Sequence, residues 1–505
     1  MESLTRRNLF GLGGRAAVAV GAAGLLPALA ACGSGGGSSA GDPKNPVNIS
    51  YQYPAYADQK DLPRVQAALD AYLSKLGKGF RVTLQPVQDY DAKMTLNMSA
   101  GNVADLFFTA SWSNNFFTNV GAGNLLALDD LLPAYAPKLW ASLPQSIWKG
   151  ARVKGKVYAA INQQRFPKLW GVTVKQELAD KYGLDISALN GYADLEPFLA
   201  QVKAGEPDVI PWATDNATFG TTFYSEIYGW DPIAVQYGLA VRHDDPALKV
   251  FNIYATDEYM AACEQVYKWR QAGYTTMDPL SASDRAAKQH GGAIAAWSDQ
   301  APPTNPQFET FATVSKNFVA APLLNTDGVA STLTAVNVDS SHPEAAVEFM
   351  ELLNSDIYVY NLICFGVEGK DYVFTDAAEK VVGFPAGLTT NTDPYNPNAD
   401  WQFGDQFNAY YRTAADAEAK RWVAEAKVNA SAVVSKALGF SLDTTALRTQ
   451  IATVTAAITQ YQQQAAIGLA DPAQVVPKLL HQLDAAGGGD VLAAAQQQID
   501  AWAKS

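Results

Sequence analysis

Val47-Asn48-Ile49-Ser50-Tyr51, Phe80-Arg81-Val82-Thr83-Leu84 and Ala104-Asp105-Leu106-Phe107-Phe108-Thr109 decide the fold class. The first two alternate apolar and polar side chains, the period of a strand, and the third is mostly apolar, as a strand covered on both faces must be. Between the first two, Leu62, Val65, Leu69, Tyr72 and Leu76 recur at helical spacing until Gly77. A second helix is predicted from Asp91 to Ala100. Strands that alternate with helices imply an α/β fold on a parallel sheet. In such sheets ligands sit beyond the carboxyl ends of the strands, which nominates Tyr53, Tyr56, Thr109, Ser111 and Trp112.

Upstream, Thr5-Arg6-Arg7-Asn8-Leu9-Phe10, an apolar run from Ala16 to Ala31 and the end Leu29-Ala30-Ala31-Cys32 form an export signal closing on a lipidation site. Small apolar residues before a cysteine resemble the lipobox of bacterial lipoproteins, so residues 1–31 are expected to be removed and Cys32 to carry the lipid. An uncleaved anchor is the other reading, but the run holds Gly21, Gly24 and Pro27 and falls short of the ~20 residues a span needs. The paired arginines suggest twin-arginine export, although an ordinary basic start also satisfies them. Residues 32–45, rich in Gly and Ser, are expected to be a flexible tether.

The 505-residue chain exceeds what one core usually serves, so two lobes are expected. Its formal charge is −13; loss of the signal removes three arginines and one glutamate, leaving about −15. Such a body is repelled by nucleic acid and by anionic lipid, so no nucleic-acid partner is expected and membrane contact is expected only through the lipid. Cys263 and Cys364 remain as one candidate disulfide or as two buried thiols. The four histidines are scattered without metal-ligand spacing, and no nucleophile elbow, zinc-protease motif or phosphate loop is present, so no metal or cofactor is expected. The adjacent carboxylates Asp129-Asp130 and Asp244-Asp245 read as helix starts or turns, since neighbours on one element cannot flank a glycosidic bond.

Three motifs in order carry a resemblance: Ala100-Gly101-Asn102-Val103-Ala104-Asp105-Leu106, Gly123-Asn124-Leu125-Leu126-Ala127-Leu128-Asp129-Asp130-Leu131-Leu132, and Gly155-Lys156-Val157-Tyr158-Ala159-Ala160. Together they resemble the family 1 extracellular solute-binding proteins of ABC importers. The third continues as Ile161-Asn162-Gln163-Gln164 and lacks that family's proline, which blurs the first hinge. The resemblance implies a two-lobed, periplasmic-binding-protein-like (type II) α/β fold with a hinge. Residues 46–160 plus about 330–372 would form the N-lobe, and 161–329 plus 373–505 the C-lobe. From Gly366 onward the chain resembles a subgroup of large sugar-binding lipoproteins with a helical C-terminal extension.

Beyond the hinge, strands are expected at Trp170–Val174, Gly292–Trp297 and Phe318–Leu324, and a helix from Thr256 to Gln271 with Cys263 and Val266 inward. Ser341-His342-Pro343-Glu344 reads as a capping box for the helix that follows, with Ser341 as the cap. Leu447, Ile451, Val454, Ile458 and Tyr461 make one apolar helical stripe, and Leu492, Ile499 and Trp502 another; both are expected to pack as core.

Eleven tryptophans and 23 tyrosines are many for this length, and several follow strand ends. Sugars present flat C–H faces that stack on aromatic rings and hydroxyls that need polar partners. Trp112 beside Ser113-Asn114-Asn115, Trp297 beside Ser298-Asp299-Gln300, and Trp401 beside Gln402 offer that pairing. Tyr53, Gln163, Gln164, Phe223 and Tyr224 come second, and plain core remains the alternative for each tryptophan. The expectation is an exported, lipid-anchored monomer that captures a carbohydrate, an oligosaccharide above all, on the outer face of the cytoplasmic membrane and delivers it to an ABC permease without chemistry. A secreted carbohydrate-active enzyme, or the same fold holding a peptide or other polar solute, are the rivals.

Overall fold

The computed structural model describes residues 40–504 except 56–57, 214–224, 301–310, 390–391 and 398–399. The expected signal and tether up to Ser39, with Cys32, and the candidates Tyr56, Phe223 and Tyr224 lie outside the described residues.

The N-terminal alternation folds as its pattern dictates. Strand β1 (Val47–Pro54), helix α1 (Leu62–Lys75), strand β2 (Phe80–Val87), helix α2 (Tyr90–Ala100) and strand β3 (Leu106–Thr109) follow in order. β1 lies parallel to β2 and to β3, with Ile49 opposite Val82 and Tyr51 opposite Leu106. Helix α1 covers one face by burying Val65, Leu69 and Leu73, each contributing about 1.5–3 kcal/mol.

The sheet is not parallel throughout. Leu333–Val336 joins β3 antiparallel, and Ala160–Ile161 joins its far side, giving the order β2, β1, β3, 333–336, 160–161. A parallel neighbour requires a covered crossover, whereas this strand returns from the far half of the chain after only the short helix Thr326–Val329.

A second sheet orders Thr313–Asn317, Trp170–Lys175, Ile294–Gln300 and Ile210–Trp212, with only the last pair parallel. Its core is separate and holds Val172, Val174, Leu199, Trp212, Trp269 and Ala295. A third core joins the strands Trp230–Ala234 and Leu239–Arg242 to the C-terminal helices, with Trp230, Val241, Tyr259, Val454, Leu479 and Ile499 buried together. Both C-terminal stripes therefore pack as core, with Ile451, Tyr461, Leu492 and Trp502 at its margin.

Several local expectations change. Residues 373–438, grouped above with the second half, contribute Val382, Tyr395, Phe403, Ala409, Trp422 and Leu438 to the core around the first sheet. Their aromatic and aliphatic side chains find cover there that no local pattern specifies. Of the Phe318–Leu324 stretch only Leu323–Leu324 is strand, paired in parallel with Val433–Val434. The helix Pro343–Ser355 begins one residue later than a Ser341 cap requires: His342 holds the cap position without a side-chain bond, and Ser340 Oγ accepts the His342 amide. Cys263 and Cys364 are buried free thiols in two different cores and do not pair.

Candidate ligand-binding site

The site grows from the carboxyl end of β3. Ala110 N donates to Ser113 O at 2.9 Å and Thr109 Oγ1 to Asn114 O at 2.5 Å, so the chain reverses within five residues. Asn114 takes φ 40°, in the left-handed region asparagine tolerates, and its side chain donates to Phe108 O at 3.1 Å. Asp91 Oδ1 accepts from Ser113 Oγ at 2.9 Å and Asn114 N at 2.6 Å, tying the turn to α2. Asn115 then caps helix α3 (Phe116–Ala122). Trp112, at the tip, is thrown outward and stays 53% exposed although its indole donates to Ser331 O at 2.8 Å.

Trp401 reaches the same place from a distant part of the chain. Its 3₁₀ turn, Asp400–Gln402, is held by Tyr360 Oη on Asp400 O at 2.8 Å, Asn162 Nδ2 on Gln402 O at 2.8 Å and Gln402 Nε2 on Pro54 O at 3.1 Å. Gly404 makes the approach possible, because a Cβ there would stand 2.1 Å from Leu353 O. Ring centroids of Trp112 and Trp401 are 5.9 Å apart, and each lies about as far from Phe108, at 6.1 and 6.0 Å. Trp112 and Trp401 form an aromatic wall, and the buried Phe108 backs it.

Ser331, whose carbonyl holds the Trp112 indole, leads to a set of polar groups. Gln164 Nε2 donates to Thr332 Oγ1 at 2.6 Å, with Ser331 Oγ at 3.4 Å. Arg165 reaches Gln300 O and Oε1, both at 3.4 Å, and stands 4.0 Å from Glu425. The segment leaving the first sheet thus touches the end of a strand in the second. Burial lowers the Arg165 pKa and raises that of the neighbouring Asp299. Ser111 is buried, donates its amide to Ala330 O at 2.8 Å, and borders a narrow cleft with Pro232, Ile233, Thr326 and Asp327.

Behind this cleft lies a buried polar cluster. Lys168 Nζ sits 2.5 Å from Asp327, and Ser435 Oγ donates to Asp231. Burial pushes Glu226 up to about 8 and Asp231 up to about 6, against the pull of Lys168 and of Ser435 respectively. Among the described residues no group of three His, Cys, Asp or Glu could hold a metal ion.

Of the described candidates, Trp112, Trp401, Gln164 and, behind them, Asn114 come together. Others do not. Tyr53 is 2% exposed, wedged between Tyr51 and Phe403 at 5.2 and 5.0 Å, because β1 is covered on both faces. Trp297 is also 2% exposed, packed with Ala213 and Ile294 beneath Phe311. Its strand points the ring into a local core, not at the aromatic wall. Gln163 is a buried brace, donating to Ser142 Oγ at 3.0 Å and Asn354 Oδ1 at 3.3 Å, and Thr109 is sealed in the sheet. Phe108, Arg165 and Ser331 were not foreseen, whereas Gln300 was named beside Trp297. Arg165 directly follows the nominated Gln164, but Phe108 is fully buried inside a uniformly apolar strand that hides which ring backs the wall.

Residues 56–359 match the family model described as bacterial extracellular solute-binding protein, more than half of the chain. The chain belongs to that family. Residues 436–504 of this solute-binding protein match a domain of unknown function, DUF3502. It is 26% identical over 497 residues to a carbohydrate ABC transporter substrate-binding protein of Streptococcus pneumoniae, covering 95% of this chain and 96% of the relative. Its fold is similar to the N-glycan transport solute-binding protein of Streptococcus pneumoniae solved with Man1GlcNAc, with TM-score 0.79 and 22% identity over 91% of this chain and 100% of the other. An extracellular solute-binding protein from Bifidobacterium longum subsp. infantis shares the fold at TM-score 0.59 and 14% identity, over 91% and 99% of the two chains.

Proposed function

We propose that this solute-binding protein captures an oligosaccharide against the Trp112–Trp401 wall and delivers it to an ABC permease. One observation carries the reading: an indole more than half exposed, braced by a second tryptophan and joined through Ser331 to Gln164. Apolar C–H faces of a sugar stack on such rings while its hydroxyls meet polar partners such as the Gln164 amide. The carbohydrate named for the pneumococcal relative, and the glycan bound by its structural neighbour, support the same class.

In this proposal one lobe is built around the first sheet, the other around the second sheet and the C-terminal helices, and residues 162–169 and 325–332 cross between them. A ligand that touches both lobes favours closure by the difference in its affinity for the closed and open forms. Closure alone suffices for delivery, so no bond is broken in the bound sugar. The chain is exported, tethered by a lipid on Cys32, and works as a monomer.

Thermal-shift screening of oligosaccharides against peptides tests the class. A cognate sugar at about 100 times its Kd adds about 2.7 kcal/mol to stability. A response confined to peptides overturns the assignment, and cleaved sugar on prolonged incubation favours the enzyme.

A further inference from the structure

The narrow cleft beside Ser111 leads into a larger cavity of about 870 Å³, and Phe117, Ser441 and Leu442 border both. The larger cavity lies between α3, residues 149–158, Pro246 and Leu248, and the stretch 436–445 with Trp502 of the DUF3502 region. Gly439 brings two of these walls together: at φ +97° it packs where a Cβ would stand 2.9 Å from Lys149 Cβ. Phe117, Tyr158 and Trp502 supply half-buried rings along the cavity. Its size is that of a ligand pocket.

Its charge runs against the rest of the molecule. In a chain of net charge −13, this lining carries four cations, Lys149, Arg152, Lys154 and Lys436, against one carboxylate, Asp443. Arg152 is paired with Asp129 and Lys154 with Asp443, both at 2.9 Å. Asp443 also accepts from Thr445, which together with Lys154 holds it down at about 2. Lys149 and Lys436 are exposed and make no ion pair among the described residues. Asp245 feels Lys436, but its oxygens accept the Ala247 and Lys249 amides at 2.9 and 3.1 Å.

We infer that this cavity is a second subsite, in which Lys149 and Lys436 receive an anionic substituent, a carboxylate or a phosphate, on an oligosaccharide whose neutral part lies on the Trp112–Trp401 wall. The inference rests on the oligosaccharide reading above and narrows it to acidic glycans. Two ammonium groups in no ion pair favour an anion, the rings lining the cavity hold the sugar that carries it, and Ser111, next to Trp112 in the chain, borders the cleft that meets the cavity at Phe117.

The test uses the full mature chain and mannose- and N-acetylglucosamine-containing oligosaccharides in matched pairs, neutral or bearing one terminal carboxylate or phosphate. Calorimetry in low salt should show the acidic member binding about tenfold tighter, with the preference shrinking as salt shortens the Debye length. Lys149→Gln with Lys436→Gln should erase the preference and leave the neutral Kd and the urea midpoint unchanged, since both side chains are exposed. Inorganic phosphate should compete with both acidic members and leave the neutral ones unaffected. Equal affinity within pairs, or a preference that survives the double variant, overturns the subsite while neutral binding keeps the oligosaccharide reading. If neither member of any pair binds, that reading fails and this one with it.

Discussion

Replacing Trp112 by alanine separates a ligand platform from a structural residue. The ring is 53% exposed, and a tryptophan can bury up to about 250 Å², so roughly 130 Å² remains for a ligand to cover. At about 25 cal/mol per Å², stacking over that area contributes at most about 3.3 kcal/mol, and contact through a single face about half as much. Loss of the ring should therefore raise the oligosaccharide Kd between about fifteenfold and a few hundredfold. Stability should fall by less than for a core tryptophan. The variant gives up ring contacts with Phe108 and Trp401 and one hydrogen bond to Ser331 O, together about 2–3 kcal/mol, and opens no cavity in a core. Calorimetric titration and urea unfolding followed by circular dichroism read the two quantities independently. A Kd unchanged within twofold, for a sugar that binds the wild type, would refute the platform.

Three further outcomes follow from the same geometry. Trp297→Ala should cost about 3–5 kcal/mol in urea unfolding, because its ring is sealed against Ala213, Ile294 and Phe311; a loss below about 1 kcal/mol with weakened binding would return it to the ligand site. Glu226 has a folded pKa raised by burial from 4.5 to about 8, so its contribution is fully present below about 4.5 and lost as pH rises through about 8. Wild type should thus lose stability relative to Glu226→Gln between pH 5 and 9, on the order of a few kcal/mol, and a difference in urea midpoints that stays flat or moves the other way contradicts this. Cys32→Ser should move the exported protein from the membrane fraction to the soluble fraction, and retention on the membrane would argue against the lipid tether.

Much of the scaffold is written locally. The period-2 strands β1 and β2, the 3.6-period helix α1 and the capped helix Asp257–Gln271 each lie within about three residues of where their patterns place them, because side-chain periodicity and caps act over a single turn or strand. The antiparallel entry of Leu333–Val336 and the docking of Tyr395 and Phe403 on the first core are not local, and nothing in those stretches names their partners.

The same division runs through the site. Trp112 was legible because it follows an apolar strand and sits in a polar turn, the context that exposes a ring at the end of a sheet. Trp297 follows a similar strand in a similar sequence context, yet it is buried, because Phe311 and Ala213 happen to cover that face. The family, the export signal as an expectation and the order of the first three strands and two helices could be read from residues alone. Which aromatic ring meets solvent was decided by tertiary packing, since exposure belongs to what lies across from a side chain and a sequence specifies only what lies along it.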